Sequence, residues 1–285
     1  MDLTAVDELA SLAQAVATLD DAARGIAQQW LIVGATARDL ILHHGHGMPI
    51  RRATVDLDVA VAVDSWSSFQ SLSRALIARG ARPVKEIAHR FELGGWKIDI
   101  LPFGGIARSG EITWPPDGSP TMSVMGFEEA SQHAIVATLP GGVTAAVASP
   151  PALLILKLIA WEDRHVELPR HDAIDIDILI ASYAASWNED RLYAEADDLL
   201  QRFGYDNSRA AAALLGRDAA EIAQPATVDR VASILVRETS GDTLRLATDM
   251  GGRAATNLEL LEAVWIGFQQ DGALSRLSED ARLPC

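Results

Sequence analysis

Thr54-Val-Asp-Leu-Asp-Val-Ala-Val-Ala-Val63 is the stretch on which the fold turns. Side chains alternate along a strand, so Val55, Leu57, Val59, Val61 and Val63 take one face while Asp56, Asp58, Ala60 and Ala62 take the other. Both carboxylates then point the same way, at the mouth of an otherwise apolar face. Like charges so placed repel, and a divalent cation or a basic partner between them relieves the repulsion. The pattern predicts a strand that opens with a metal-binding pair.

The residues on either side extend this reading. Gln29-Trp-Leu-Ile-Val33 is an apolar strand ending at Gly34-Ala-Thr36, and the segment from Ala37 to His43 has helical spacing. A strand that turns through glycine into a helix offers free backbone N–H groups to an anion such as a triphosphate, with Thr36 as the expected N-cap. Downstream, Gly95-Trp-Lys-Ile-Asp-Ile-Leu101 alternates again and sets Asp99 beside Lys97 and Leu101 on one face. Three aspartates on neighbouring strands can hold the two ions that stabilise the attacking and leaving oxygens of phosphoryl transfer. An all-oxygen ligand set favours magnesium or manganese over zinc. The plainer reading of Asp99, a surface residue of an edge strand, stays open.

The pattern predicts a helix over residues 5–27, a helix from Ser65 to Arg79, and paired strands Arg90–Leu93 and Trp96–Phe103 about Gly94-Gly95. Residues 104–120 read as a loop over the site. A hairpin follows, His133–Leu139 and Val143–Ala148, around Pro140-Gly-Gly142. From Ser149 the periodicity becomes helical, with segments at 149–164, 172–183, 189–203, 208–215, 219–223, 227–238 and 254–270. The expected organisation is therefore an α/β catalytic domain over 1–148 and a helical domain over 149–285.

With 285 residues, 49% of them hydrophobic, the chain can bury a sizeable core. Its single cysteine, Cys285, permits no intrachain disulfide, and no secretory or spanning segment is evident, so a cytoplasmic location without membrane association is expected. The net charge of −15 disfavours an extended nucleic-acid grip, although Arg51, Arg52, Arg79, Arg82, Lys85 and Arg90 could make a local basic patch. His43-His-Gly-His-Gly-Met-Pro49 reads as a loop, and its histidines lack carboxylate or cysteine company for a metal site.

Gly34-Ala35, the pair Asp56 and Asp58, and Asp99 together resemble the nucleotidyltransferase superfamily that includes DNA polymerase β. More narrowly, the segment from Arg52 and Thr54 to Asp58, the helix from Ser149 to Lys157, and Arg170-His-Asp-Ala-Ile-Asp175 are similar to AbiEii-type nucleotidyltransferases of abortive-infection and type IV toxin–antitoxin systems. The resemblance spans roughly residues 28 to 180. It implies an α+β fold, with a nucleotidyltransferase-like mixed sheet and flanking helices followed by an α-helical C-terminal domain. It further implies Asp56, Asp58 and Asp99 as catalytic metal ligands, and Gly34, Ala35, Thr36, Lys157 and Asp172 as nucleotide-binding residues. The implied reaction moves a nucleoside monophosphate from an NTP to a tRNA 3′ end or a protein hydroxyl, with an antitoxin protein as a possible partner. Ala35 stands where the family has Gly or Ser, and His171 where it has Lys.

Several residues keep two readings. Lys157 interrupts a run apolar almost all round, so it must snorkel, pair, or serve the phosphates. Asp172 fits a helix N-cap as well as a site, and Asp175 and Asp177 fit exposed helix charges or partners of Arg164 and Arg170. Arg52 and Thr54 fit turn residues or phosphate contacts. Against the transferase stand a catalytically silent module of the same fold that acts through a protein partner, and a hydrolase or glycosyltransferase using an Asp-x-Asp metal site.

Overall fold

The computed structural model describes residues 1–49, 56–85, 87–115, 121–241 and 243–270. Two compact units divide the chain, Met1–Ser149 and the residues from Pro150 onward.

In the first unit a 3₁₀ turn, Asp7–Leu9, leads into α1 (Ala10–Ala23), which buries Leu12, Val16 and Leu19 along one stripe. Strand β1 (Trp30–Val33) passes directly into α2 (Gly34–Asp39), and a π-helical turn, Leu40–Gly45, prolongs α2. Then follow β2 (Asp56–Ala62), α3 (Trp66–Ala78), β3 (Arg82–Pro83), β4 (Arg90–Leu93) and β5 (Trp96–Phe103). A small ribbon, β6 (Glu111–Thr113) and β7 (Thr121–Ser123), precedes α4 (Phe127–Gln132), β8 (Ile135–Thr138) and β9 (Thr144–Val147). Among the described residues seven strands form one mixed sheet in the order β3-β4-β5-β2-β1-β9-β8. The β2–β5 and β1–β9 pairs are parallel and the rest antiparallel. Along β2 only the start of the aspartate face is open: Asp56 is exposed and Asp58 half-buried, while Leu57 and every residue from Val59 to Ala62 are buried.

The second unit is helical: α5 (Pro150–Arg164), α6 (Pro169–Ser182), a π-helical turn at Ala184–Asn188, α7 (Glu189–Glu195), α8 (Asp197–Arg202), α9 (Asn207–Ile222), α10 (Pro225–Thr239), α11 (Arg245–Asp249) and α12 (Ala254–Gln270). No helix among the described residues is long and apolar enough to cross a membrane.

Several expectations change. The segment 5–27 contains a shorter helix, and the 104–120 loop contains β6, which pairs with β7 beyond it. Residues 116–120 lie outside the described set. The helix expected over 189–203 breaks at Ala196, whose φ of −130° and ψ of 34° leave the helical region. Conversely the segments expected at 208–215 and 219–223 are one helix running through Gly216. Glycine is disfavoured inside helices, which is why the pattern reads as two. Here its missing side chain serves packing: a Cβ at Gly216 would overlap the carbonyl of Val264, and one at Gly267 would overlap the carbonyl of Ala213, so α9 and α12 meet backbone to backbone. The short helices α4 and α11 were not expected, because six- and five-residue segments carry little periodicity.

Candidate active site

Strand pairing brings the aspartates together. In the parallel β2–β5 ladder Asp58 lies directly opposite Asp99, and Asp56 opposite Lys97. Residues opposed on adjacent strands project from the same face, so the Asp58 and Asp99 carboxylates share one side of the sheet. On the other side of β2, Val33 of β1 is opposite Asp58, which puts Gly34 against that carboxylate. Gly34 has φ +66°, and a Cβ added to it would overlap Asp58 Oδ2. Glycine is therefore required twice at this position, for the left-handed backbone and for the close approach of the carboxylate. Gly34→Ala is expected to lower stability by about 1–2 kcal/mol, the left-handed penalty, and to push the Asp58 carboxylate aside. Thermal melting together with transfer activity checks this; an alanine variant that matches the parent in both would show that the approach is dispensable.

Thr36 is not the N-cap of α2. The cap position is Val33, without a side-chain hydrogen bond, and Thr36 is buried one turn on, its hydroxyl donating to the carbonyl of Asp56 at 2.7 Å. That bond ties the start of β2 to α2, so the glycine turn and the aspartate pair hold one another in place. The hydroxyl proton is committed to this contact and is not available to another acceptor. Arg52 and Thr54 lie outside the described residues, as does Arg51.

Asp99 is not a bare surface carboxylate. Arg90 grips it in a bidentate ion pair, Nε to Oδ1 at 2.7 Å and Nη2 to Oδ2 at 2.6 Å, from the opposite position on β4. The Arg90 pKa is raised, first by this hydrogen bond, and also by the charges of Asp99, Asp56 and Asp58. One guanidinium thus senses all three carboxylates and supplies the basic partner that the repulsion of like charges calls for. The sequence reading placed Arg90 only in a loose basic patch. A sharper signal was available, because a hairpin turning at Gly94-Gly95 pairs Leu93 with Trp96 and, three steps out, Arg90 with Asp99. His89, next along the chain, lies against Trp114 with ring centroids 4.9 Å apart, and Trp114 also packs on Trp66 and Phe69. Burial lowers the His89 pKa, against a raising effect from Asp99. Of the remaining patch residues, Arg79 is engaged with Asp21 at 2.6 Å.

The donor set suits a hard cation. Asp58 and Asp99 offer carboxylate oxygens from paired strand positions, Asp56 adds a third from the strand entry, and the glycine turn leaves room beside Asp58 that a side chain would fill.

Lys157 and Asp172 belong to the second unit. The Lys157 side chain is only 10% exposed and its Nζ meets Asp172 Oδ1 at 3.0 Å and Asp175 Oδ2 at 2.7 Å. Arg164 adds a bidentate pair to Asp172, at 2.6 and 2.8 Å. Lys157 therefore pairs rather than snorkels. Asp172 lies in the first turn of α6 and not at its cap, which is Leu168, and Asp175 is buried rather than an exposed helix charge. Burial by itself would raise the Asp172 pKa, but His171, Arg164 and Lys157 outweigh it and hold the carboxyl well below the usual range. Burial likewise opposes the Lys157 charge, and the Asp175 and Asp172 carboxylates overcome it, so its pKa is raised.

A seven-stranded mixed sheet carrying the glycine turn and the aspartates, joined to a helical unit, is a nucleotidyltransferase fold. A family model described as nucleotidyl transferase AbiEii toxin, type IV TA system, matches residues 18–236. The chain belongs to the AbiEii nucleotidyltransferase toxin family. A solved structure of the antibiotic-resistance factor ANT(2″)-Ia is similar over 68% of this chain and 93% of that one, at 14% identity and a TM-score of 0.37. No curated protein matches the chain.

Proposed function

We propose that the protein is a metal-dependent nucleotidyltransferase toxin that moves a nucleoside monophosphate from an NTP to an RNA, such as a tRNA 3′ end, or to a protein hydroxyl, and that an antitoxin restrains it. The observation that carries this reading is the direct opposition of Asp58 and Asp99 on parallel strands beside Gly34. Asp56, Asp58 and Asp99 would hold magnesium or manganese, which when bound supplies charge neutralisation at the transferring phosphoryl group. The chain's own part is positional. Gly34, Ala35 and Thr36 present backbone N–H groups at the head of α2, the geometry that favours a phosphate. Asp99 is placed to accept the proton of the attacking hydroxyl or to orient it, and Arg90 holds that carboxylate ready. Lys157 and Asp172, within the helical unit, are proposed as nucleotide-binding residues on the strength of the family resemblance. Their pairing with each other is compatible with a role in which Asp172 fixes the ammonium in one orientation.

Incubation with each labelled nucleoside triphosphate, total RNA and total protein tests the proposal. Label is expected in one acceptor class, with release of pyrophosphate; label in neither class, or release of free phosphate or sugar, would refute it. A second test uses stability. Asp58→Asn removes one of three like charges, so in chelator it is expected to melt at the same temperature as the parent or higher. It should gain less from added magnesium and nucleotide, because ligand stabilisation follows affinity for the native state. A variant clearly less stable in chelator with an undiminished magnesium shift would make Asp58 a structural residue.

A further inference from the structure

The histidines of the segment after α2 do find a carboxylate, and the fold supplies it. Glu8, from the 3₁₀ turn before α1, lies against the π-helical turn Leu40–Gly45, and its Oε1 is 3.2 Å from His44 Nδ1 and 4.0 Å from His43 Nε2. Among the described residues these are the three metal-ligating side chains whose donor atoms all lie within 4.8 Å of one another. From these contacts we infer that Glu8, His43 and His44 form a zinc site, separate from the aspartate cluster, with water as the fourth ligand.

The chemistry fits zinc on three counts. Two imidazoles and a carboxylate are a borderline-soft donor set that zinc takes and magnesium does not. Donor atoms about 2.0–2.1 Å from a tetrahedral ion stand about 3.3 Å apart, so the observed spacings need only small side-chain adjustments. The ligand tautomer is also prepared. His43 Nδ1 is 2.6 Å from the carbonyl of Met48, which can only accept, so Nδ1 carries a proton there and Nε2 is the nitrogen that faces Glu8. A metal-bound histidine ordinarily donates its other nitrogen in this manner. The two rings sit edge to face with centroids 4.6 Å apart, which keeps adjacent residues from splaying. The π turn is part of the device, since π-helical turns inside helices recur at functional sites. Zinc here would clamp the N-terminal turn to the end of the helix that begins at Gly34.

Protein stripped with chelator and titrated with zinc against a chromophoric competitor is expected to bind one ion per chain and to melt at a higher temperature, with excess magnesium failing to displace it. Glu8→Gln, a change at a side chain 66% exposed, and His44→Gln should each weaken zinc binding by at least about tenfold. Asp58→Asn should bind zinc as the parent does. The inference is overturned if the parent takes up no zinc, if the Glu8 and His44 variants bind it undiminished, or if Asp58→Asn abolishes binding. Should His44→Gln fail to fold by circular dichroism, Glu8→Gln decides the question alone.

Discussion

Asp58→Ala and Asp99→Ala are each expected to lower nucleotidyl transfer by about three orders of magnitude or more, with the circular dichroism of the parent retained, because groups that act as one catalytic unit lose most of its effect when any member is removed. The two side chains occupy opposed positions of the β2–β5 ladder, so neither can replace the other. Both losses should fall mainly on the chemical step. The fold is expected to survive because Asp58 and Asp99 are only half-buried, on a strand pair whose buried core is Leu57, Val59, Ile98 and Ile100. Asp99→Ala also releases Arg90, so Arg90→Gln serves as the companion variant. If loss of the ion pair were the cause, Arg90→Gln would match Asp99→Ala in the transfer assay. A much smaller loss in Arg90→Gln assigns the effect to the carboxylate. Transfer near the parental rate in folded Asp58→Ala would end the catalytic assignment.

Lys157→Met is expected to destabilise the helical unit by about 3–5 kcal/mol, the cost of leaving a buried charge without its partner. Methionine keeps the bulk of the lysine stem, so packing changes little. What it removes is the cation between Asp172 and Asp175, both buried in α6. Arg164 still neutralises Asp172, whereas Asp175 loses the ammonium that stood 2.7 Å from its Oδ2, so adding Asp175→Asn should recover part of the loss. The pH dependence follows from the two shifts. The Asp172 pKa is lowered in the fold, so its stabilisation is present above the ordinary carboxylate pKa of about 3.9 and is lost as pH falls below that towards the folded value. The Lys157 pKa is raised, so its contribution is complete below the ordinary lysine pKa of about 10.4 and is lost as pH rises through the folded value. The deficit of Lys157→Met should accordingly be widest between about pH 5 and pH 10 and narrow at both ends. Hydrogen exchange of the α5 and α6 amides across that range measures it, and suits a two-unit chain for which a single unfolding free energy is ill-defined. Calorimetry with nucleoside triphosphate supplies the contrast. Affinity weaker by about 1.5–3 kcal/mol alongside the lost stability is expected if the paired ammonium also serves the phosphates, and unchanged affinity would confine Lys157 to the helix pair.

The strand face of β2 and the hairpin at Gly94-Gly95 were legible because each is a local pattern. Alternation assigns Asp56 and Asp58 to one face whatever the strand pairs with, and a two-glycine turn defines its own register. Helix limits were less legible where a local signal and a tertiary one disagree. Gly216 reads as a break and is instead the contact that lets α12 approach α9. Thr36 reads as a cap and instead reaches the carbonyl of Asp56, twenty positions away. The histidine segment looked unaccompanied because Glu8, its carboxylate, lies far back in the chain.

By itself the sequence determined the strand–glycine–helix turn, the acidic face of β2, the change from mixed sheet to helices, and with these the family. All are properties of neighbouring residues, set by backbone geometry and by which side chains prefer water. Only the tertiary structure decided who neutralises the charges. Asp99 is held by Arg90, and Lys157 by Asp172 and Asp175. Many carboxylates in an acidic chain could have met any of its few cations. Coulombic attraction has no sequence period, and which pairs survive desolvation depends on the distances that packing imposes.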